Sequence, residues 1–379
     1  MSELKPMKAA VIGCGVISKI YLKNLCECFK IIEVVGCSDL LPERSKKRAE
    51  EFGIRQMTNE EIYEDPEIDI VVNLTYPLSH YQVTKEALLA GKNVYSEKMI
   101  AITLEEGEEL VQLARSQNLQ FTVAPDTCLG GGIQTARWVI DSGMIGEPVL
   151  VSGFCPRSYQ LTREDDEVRM VHLPGGGIPF DMGGYYLHTF VNLFGAIGRA
   201  SGFAKINNSH RTYLNPRSPL YGDEFVETCI NTMSASLEFQ SGVLGSLLVT
   251  SECSAGAIQK IEVLGAEGML SIHDPNNFGG PIRVKRSGNE EELTIPYTHA
   301  FFETDRRGLG VADMAYAIKN HRTPRLDCSL GLHAFEVIHR VWNSTESGKS
   351  YTIHNQVKRP QAMPRTPFGG TCAEHVLDL

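Results

Sequence analysis

What this chain lacks narrows its reading first. No stretch approaches the roughly 18 consecutive apolar residues that a transmembrane helix needs, so no membrane span is expected. The segment from Met1 to Met7 is polar and has no apolar h-region, which sets the expectation of a cytoplasmic protein. An excess of basic charge is missing as well. There are 36 Lys and Arg against 46 Asp and Glu, a net charge of −10, and an acidic surface is a poor partner for nucleic acid. Ten cysteines are present without metal-ligand spacing. Cys26 and Cys28 have no matching pair elsewhere, so the cysteines read as free thiols of a reducing compartment and no metal is expected. The acidic stretch Glu164 to Glu167 lacks further oxygen ligands at fixed spacing and reads as a solvated loop.

What is present is the composition of a globular protein, 42% hydrophobic and 22% charged. A length of 379 residues exceeds one ordinary core, which predicts two domains. Up to Pro125 the pattern alternates. Strands are expected at Lys8–Ile12, Glu33–Ser38, Ile68–Leu74, Asn93–Ser96 and Gln120–Val123. Helices are expected at Val16–Leu25, Pro42–Phe52, Tyr81–Ala90 and Leu104–Ser116, the last opened by a capping box of Thr103 and Glu106. The nearly continuous apolar run from Ile68 to Leu74 suits a central parallel strand. Beyond Pro125, β-rich segments succeed one another, including the alternating Thr232–Phe239, and imply a largely antiparallel sheet. The fold class is therefore α/β for residues 1–125, a Rossmann-type domain of alternating strand and helix, followed by an α+β domain over 126–360. An extended tail, 361–379, closes the chain.

The turn from Val11 to Ser18 carries the most information. It joins a strand to a helix, and Asp39 ends the next strand, the arrangement of a dinucleotide-binding βαβ unit. Gly13 permits the tight turn, and Gly15 lets backbone approach a pyrophosphate at the positive helix end, beside Val16 and Ile17. Ser18 stands where the usual fingerprint has a third glycine and is small enough for close packing. A carboxylate at Asp39 accepts hydrogen bonds from ribose hydroxyls and repels a 2′-phosphate, which favours NAD over NADP. Arg44, one turn further, is the residue that would pair with such a phosphate.

Three further stretches carry polar chemistry. Thr75, Pro77 and His80 follow the fourth strand and belong on the cofactor face, His80 as a cofactor contact or as a structural histidine. Glu97 and Lys98 follow the fifth strand, where ligands bind in a doubly wound sheet. Apolar or cationic neighbours would lower the Lys98 pKa, and it would polarise a substrate oxygen. Gly175-Gly176-Gly177 permits close backbone approach. On a helix starting near Pro179, Asp181, Tyr185 and His188 fall at i, i+4 and i+7, one face able to relay a proton. Arg163, Arg169, His172 and His299 belong to segments whose place in a substrate site is not legible from pattern.

Together the Gly13–Ser18 turn, Tyr76 to His80, Ala90 to Val94 with Glu97-Lys98, Gly175–Gly177 with Asp181-Met-Gly183, and Ile261 to Gly268 resemble the Gfo/Idh/MocA oxidoreductases. Lys98-Met99 departs from that family's Lys-Pro but keeps the lysine, and Asp181-Met-Gly-Gly-Tyr185 is the tyrosine form of its later motif. The resemblance implies hydride transfer between NAD and a secondary hydroxyl of a sugar, cyclitol or related polyol. By that match Lys98 meets the reacting oxygen, Tyr185 carries the proton with His188 as second candidate, and Asp181 orients. It also implies a homodimer or homotetramer joined through the C-terminal sheet. The alternatives it leaves are an NAD-dependent glycosidase working by transient oxidation and a sensor without turnover.

Overall fold

The computed structural model describes residues 5–158, 172, 175–253, 258–366 and 377. Arg163, Arg169 and the acidic stretch Glu164 to Glu167 lie outside them, as does most of the tail beyond 366.

The first half is a six-stranded parallel sheet in the order β3-β2-β1-β4-β5-β6. Its strands are β1 (Met7–Ile12), β2 (Ile32–Ser38), β3 (Arg55–Gln56), β4 (Ile70–Asn73), β5 (Asn93–Ser96) and β6 (Phe121–Val123). Every residue of β4 is buried, because helices cover a central parallel strand on both faces. The intervening helices are α1 (Ser18–Glu27), α2 (Pro42–Phe52), α3 (Asn59–Glu64), α4 (Pro77–Leu89) and α5 (Leu104–Ser116). Thr103 and Glu106 do form the capping box of α5. Pro42 opens α2 and Gly53, in the left-handed region, ends it. The short β3 and α3 are not among the elements expected from the sequence. A two-residue strand carries no readable alternation, although the Thr58–Glu61 capping box marks α3.

The second half is a nine-stranded sheet in the order β16-β15-β14-β13-β7-β12-β11-β8-β17. Its centre is built from β7 (Pro148–Pro156), β8 (Ile197–Lys205), β11 (Thr232–Phe239), β12 (Leu244–Thr250) and β13 (Lys260–Gly265). The other sheet strands are β14 (Gly268–Ile272), β15 (Ile282–Arg286), β16 (Leu293–Thr294) and β17 (Tyr351–Thr352), while β9 (His210–Thr212) and β10 (Glu224–Val226) pair apart. Neighbouring strands run antiparallel except β7 and β12, which are parallel. Alternation along β11 puts Met233, Ala235, Leu237 and Phe239 on the buried face. Helices Gly183–Phe194 and Cys328–Ser347 pack on that side, and the second also reaches β6. No described helix is long and apolar enough to cross a membrane.

Candidate active site

The turn after β1 is held by side chains as well as by sequence. Gly13 has φ +102°, and a Cβ there would lie 2.6 Å from the backbone carbonyl of Leu74, so only glycine fits. Gly15 faces open space, with nothing within 4 Å of an added Cβ. The Cys14 N–H donates to Asp39 Oδ2 at 2.6 Å and the Leu41 N–H donates to Oδ1 at 2.8 Å. Asp39 thus ties the glycine turn to the end of β2. Ser18 is fully buried and its hydroxyl donates to the Gly15 carbonyl at 2.6 Å, which gives the third fingerprint position its packing role.

Around this turn lies a cleft in two connected parts. The outer part, about 530 Å³, is bordered by Gly13, Gly15, Asp39, Arg44, Thr75 and Tyr76. Gly15, Leu74, Thr75 and Tyr76 also border the inner part, about 280 Å³, which runs past Val16, Ile17, Pro77 and Glu97 to Lys98, Gly175, Gly176, Asp181 and Tyr185. The positive-φ turn, the open Gly15 and the Asp39 carboxylate bordering the outer part fit a dinucleotide lying along both parts.

At the inner end Lys98 Nζ lies 2.7 Å from Asp181 Oδ1 and 5.4 Å from the centre of the Tyr185 ring. Burial draws the Lys98 ammonium down, but the charge and hydrogen bond of Asp181, backed by Glu97, outweigh it and hold Lys98 above the ordinary lysine value. The expected lowering is therefore corrected: the nearest neighbours are acidic, not cationic. Glu97 accepts from Tyr21 Oη at 2.7 Å and from the Lys98 N–H at 3.1 Å, so it braces the strand end. His80 is fully buried, with Nδ1 2.6 Å from the Met99 carbonyl and Nε2 2.9 Å from the Thr75 carbonyl. It clamps the loops after β4 and β5 together, the structural one of its two expected roles.

The glycine run is a close-packed approach. A Cβ on Gly175, at φ +83°, would meet Ile102 Cδ1 at 2.1 Å, and one on Gly177 would meet the Ile230 carbonyl at 2.6 Å. The helix expected from Pro179 breaks at Met182, between Ile178–Asp181 and Gly183–Phe194. Asp181 and Tyr185 still border the cleft, but His188 does not. His188 is 2% exposed, its Nδ1 has no hydrogen-bond partner, and burial pushes its pKa down to about 3. As a proton carrier beside Tyr185 it is withdrawn.

Sequence reasoning missed several contributors. Arg307 Nη2 donates to Tyr185 Oη at 3.3 Å and to Asn276 Oδ1 at 2.6 Å, while Arg307 also pairs with Asp305. Asp126 is buried and accepts from the Gly308 and Gly310 N–H groups at 2.9 and 3.1 Å, which fixes the segment carrying Arg307. Arg48 donates from Nε to Ser18 Oγ at 3.1 Å and stands over the Gly15 carbonyl. Its place one turn after Arg44 on α2 was the available signal. Arg44 itself reaches Tyr76 Oη at 3.3 Å. Of the unplaced side chains, His172 pairs with Glu227, and His299 is buried with Nε2 3.1 Å from the Met363 carbonyl. Neither borders the cleft.

Comparison with known proteins fits this geometry. Residues 7–124 match the family model described as oxidoreductase family, NAD-binding Rossmann fold, and residues 133–271 match the GFO/IDH/MocA C-terminal domain. The chain belongs to the Gfo/Idh/MocA oxidoreductases. An uncharacterized oxidoreductase of Schizosaccharomyces pombe is 31% identical over 196 residues, and the match spans 51% of this chain and only 53% of that one. The scyllo-inositol 2-dehydrogenase (NAD(+)) of Bacillus subtilis is 27% identical over 322 residues, 84% of this chain and 88% of its own. Levoglucosan dehydrogenase, solved with NADH and L-sorbose, superposes with a TM-score of 0.79 at 16% identity, over 93% of this chain and all (100%) of that one. At that identity the likeness concerns the fold.

Proposed function

We propose that this protein is an NAD-dependent dehydrogenase that oxidises a secondary hydroxyl of a sugar, cyclitol or related polyol. The observation that carries the reading is the Lys98–Asp181–Tyr185 cluster at the inner end of the dinucleotide cleft. Asp39, Gly13, Gly15 and Ser18 would hold the cofactor, with Val16, Ile17, Thr75, Pro77 and Glu97 along its path. Asp39 supports NAD over NADP, since its carboxylate borders the outer cleft and would repel a 2′-phosphate.

When bound, the nicotinamide supplies the hydride acceptor. The chain supplies position and charge. Lys98, kept protonated by Asp181, donates to the reacting oxygen and stabilises negative charge as it develops there. For the hydroxyl proton to leave as hydride is transferred, Tyr185 must take it as the phenolate, and the Arg307 guanidinium, which donates to Tyr185 Oη at 3.3 Å, is placed to stabilise that anion. Asp181 fixes the Lys98 ammonium and is placed to accept from a neighbouring substrate hydroxyl.

The partner expected from the sequence has support in the sheet. One face is covered by helices, and the other exposes a cross-strand row of Phe203, Ser234, Leu248 and Phe154 in register. Three apolar side chains in such a row suit pairing with a second copy. The test of the functional reading is Lys98→Met, measured both for NAD binding and for turnover of a polyol. Retained binding with turnover reduced by about a thousandfold supports it; unchanged turnover overturns it.

A further inference from the structure

A second cavity lies away from the cleft. It measures about 710 Å³ and is formed where the loop 322–327, the start of helix Cys328–Ser347 and the segment 356–361 meet. Its described lining carries five cations, Arg115, Arg322, Arg325, Lys358 and Arg359, against one acid, Asp327.

The cations are only partly matched internally: Arg322 Nη2 donates to the Leu377 carbonyl at 2.9 Å and Nη1 to the Thr323 carbonyl at 3.3 Å, both neutral acceptors. Arg359 is taken by Asp141 at 2.7 Å. Arg322 and Arg325 share a single carboxylate, Asp313, at 2.7 and 2.5 Å. Arg325 is 3% exposed, yet its Nε and Nη2 have no hydrogen-bond partner, and neither has Arg322 Nε. Leaving buried donors of a cation without acceptors is costly, so the lining is short of anionic oxygen. Asp327 caps the helix, its Oδ1 accepting from the Ser329 N–H at 3.0 Å and from Ser329 Oγ, and among the described residues it forms no ion pair with these arginines. The helix of 20 residues also directs its positive end here.

We propose that this cavity binds an oxyanion, the phosphate or carboxylate of a small metabolite. Arg325 and Arg322 donate to the anion, and the exposed Arg115 and Lys358 attract it at the mouth. Nothing in this inference rests on the dehydrogenase reading, since no residue of this lining borders the catalytic cleft.

The test is isothermal titration of the full chain with inorganic phosphate and, separately, with citrate, at an ionic strength held constant with chloride. One saturable site is expected, weakened about tenfold or more in Lys358→Glu and in Arg325→Gln. Lys358 is at the surface, so that variant keeps the test valid if Arg325→Gln does not fold. Tighter binding of phosphate assigns a phosphate ligand, and tighter binding of citrate a carboxylate one. Absence of saturable binding of both anions, or equal affinity in the wild type and Lys358→Glu, overturns the proposal.

Discussion

Lys98 Nζ sits 2.7 Å from Asp181 Oδ1, joining the end of β5 to the short helix after the glycine run. The pair spans the two halves of the chain and places a cation at the inner end of the cleft. On the proposed reading, Lys98 acts as a fixed positive charge and not as a base, and the substrate proton passes to Tyr185. Asp181→Asn then removes the charge that holds Lys98 high. Turnover is expected to fall by about ten- to a hundredfold, with the pH–rate profile shifted because Lys98 now loses its proton at lower pH. An unshifted profile would contradict this.

Tyr185 and His188 are separated by their surroundings. Tyr185→Phe should lower turnover by about 10² to 10⁴ with little change in NAD affinity. His188→Gln should leave the rate constant of a folded preparation within a few-fold of wild type. Equal losses in both variants would restore His188 to the site.

On the proposed reading, Asp39 would govern cofactor choice. Asp39→Ala should weaken NAD by about tenfold or more and narrow the preference over NADP, since a charged hydrogen-bond acceptor and a repelling charge are lost together. Dinucleotide titration of both proteins measures it, and equal affinities in the parent would count against the assignment.

Acid should destabilise the fold. Burial lowers His188 to about 3, and His299 and His339 to about 4. Unfolding returns them to their ordinary value of about 6.5, so the unfolded state binds more protons between those values. Their contribution is complete above about pH 6.5 and is lost as pH falls toward 4. Asp126 works in the opposite direction, because burial raises it to about 7 and its contribution is lost as pH rises through that value. Three histidines against one carboxyl predict a melting temperature that drops from pH 6.5 to 4. Asp126→Asn should steepen that drop, and a flat profile in the parent would refute the account.

Association through the sheet is tested by Phe203→Glu with Leu248→Glu. Both sites are exposed, 74% and 42%, so the monomer should fold. Light scattering should show a dimer or tetramer in the wild type and a monomer in the double variant. An unchanged mass would place the interface elsewhere.

The parallel half was legible in the sequence because glycine turns, caps and continuous apolar runs are local signals. Gly13, Asp39 and the Thr103–Glu106 box could be read where they stand. The difference at His188 has a physical reason: helical spacing says which residues share a face but not how far each lies from the cleft, and His188, two turns beyond Asp181, is buried in the core instead. Arg307 and Asp126 were beyond reach for another reason. Their partners, Tyr185 and the Gly308 N–H, lie far off in the chain and meet only through tertiary packing. The Lys98 pKa was misjudged likewise, since Asp181 reaches it from the other half of the chain.

The most direct measurement is NADH formation, tracked by absorbance, over a panel of sugars, cyclitols and sugar acids with NAD and NADP in parallel. The account predicts that at least one polyol reduces NAD, and NADP much less. Silence across the panel from a protein shown separately to bind NAD would contradict it, and would turn the reading toward a redox-assisted glycosidase or a sensor.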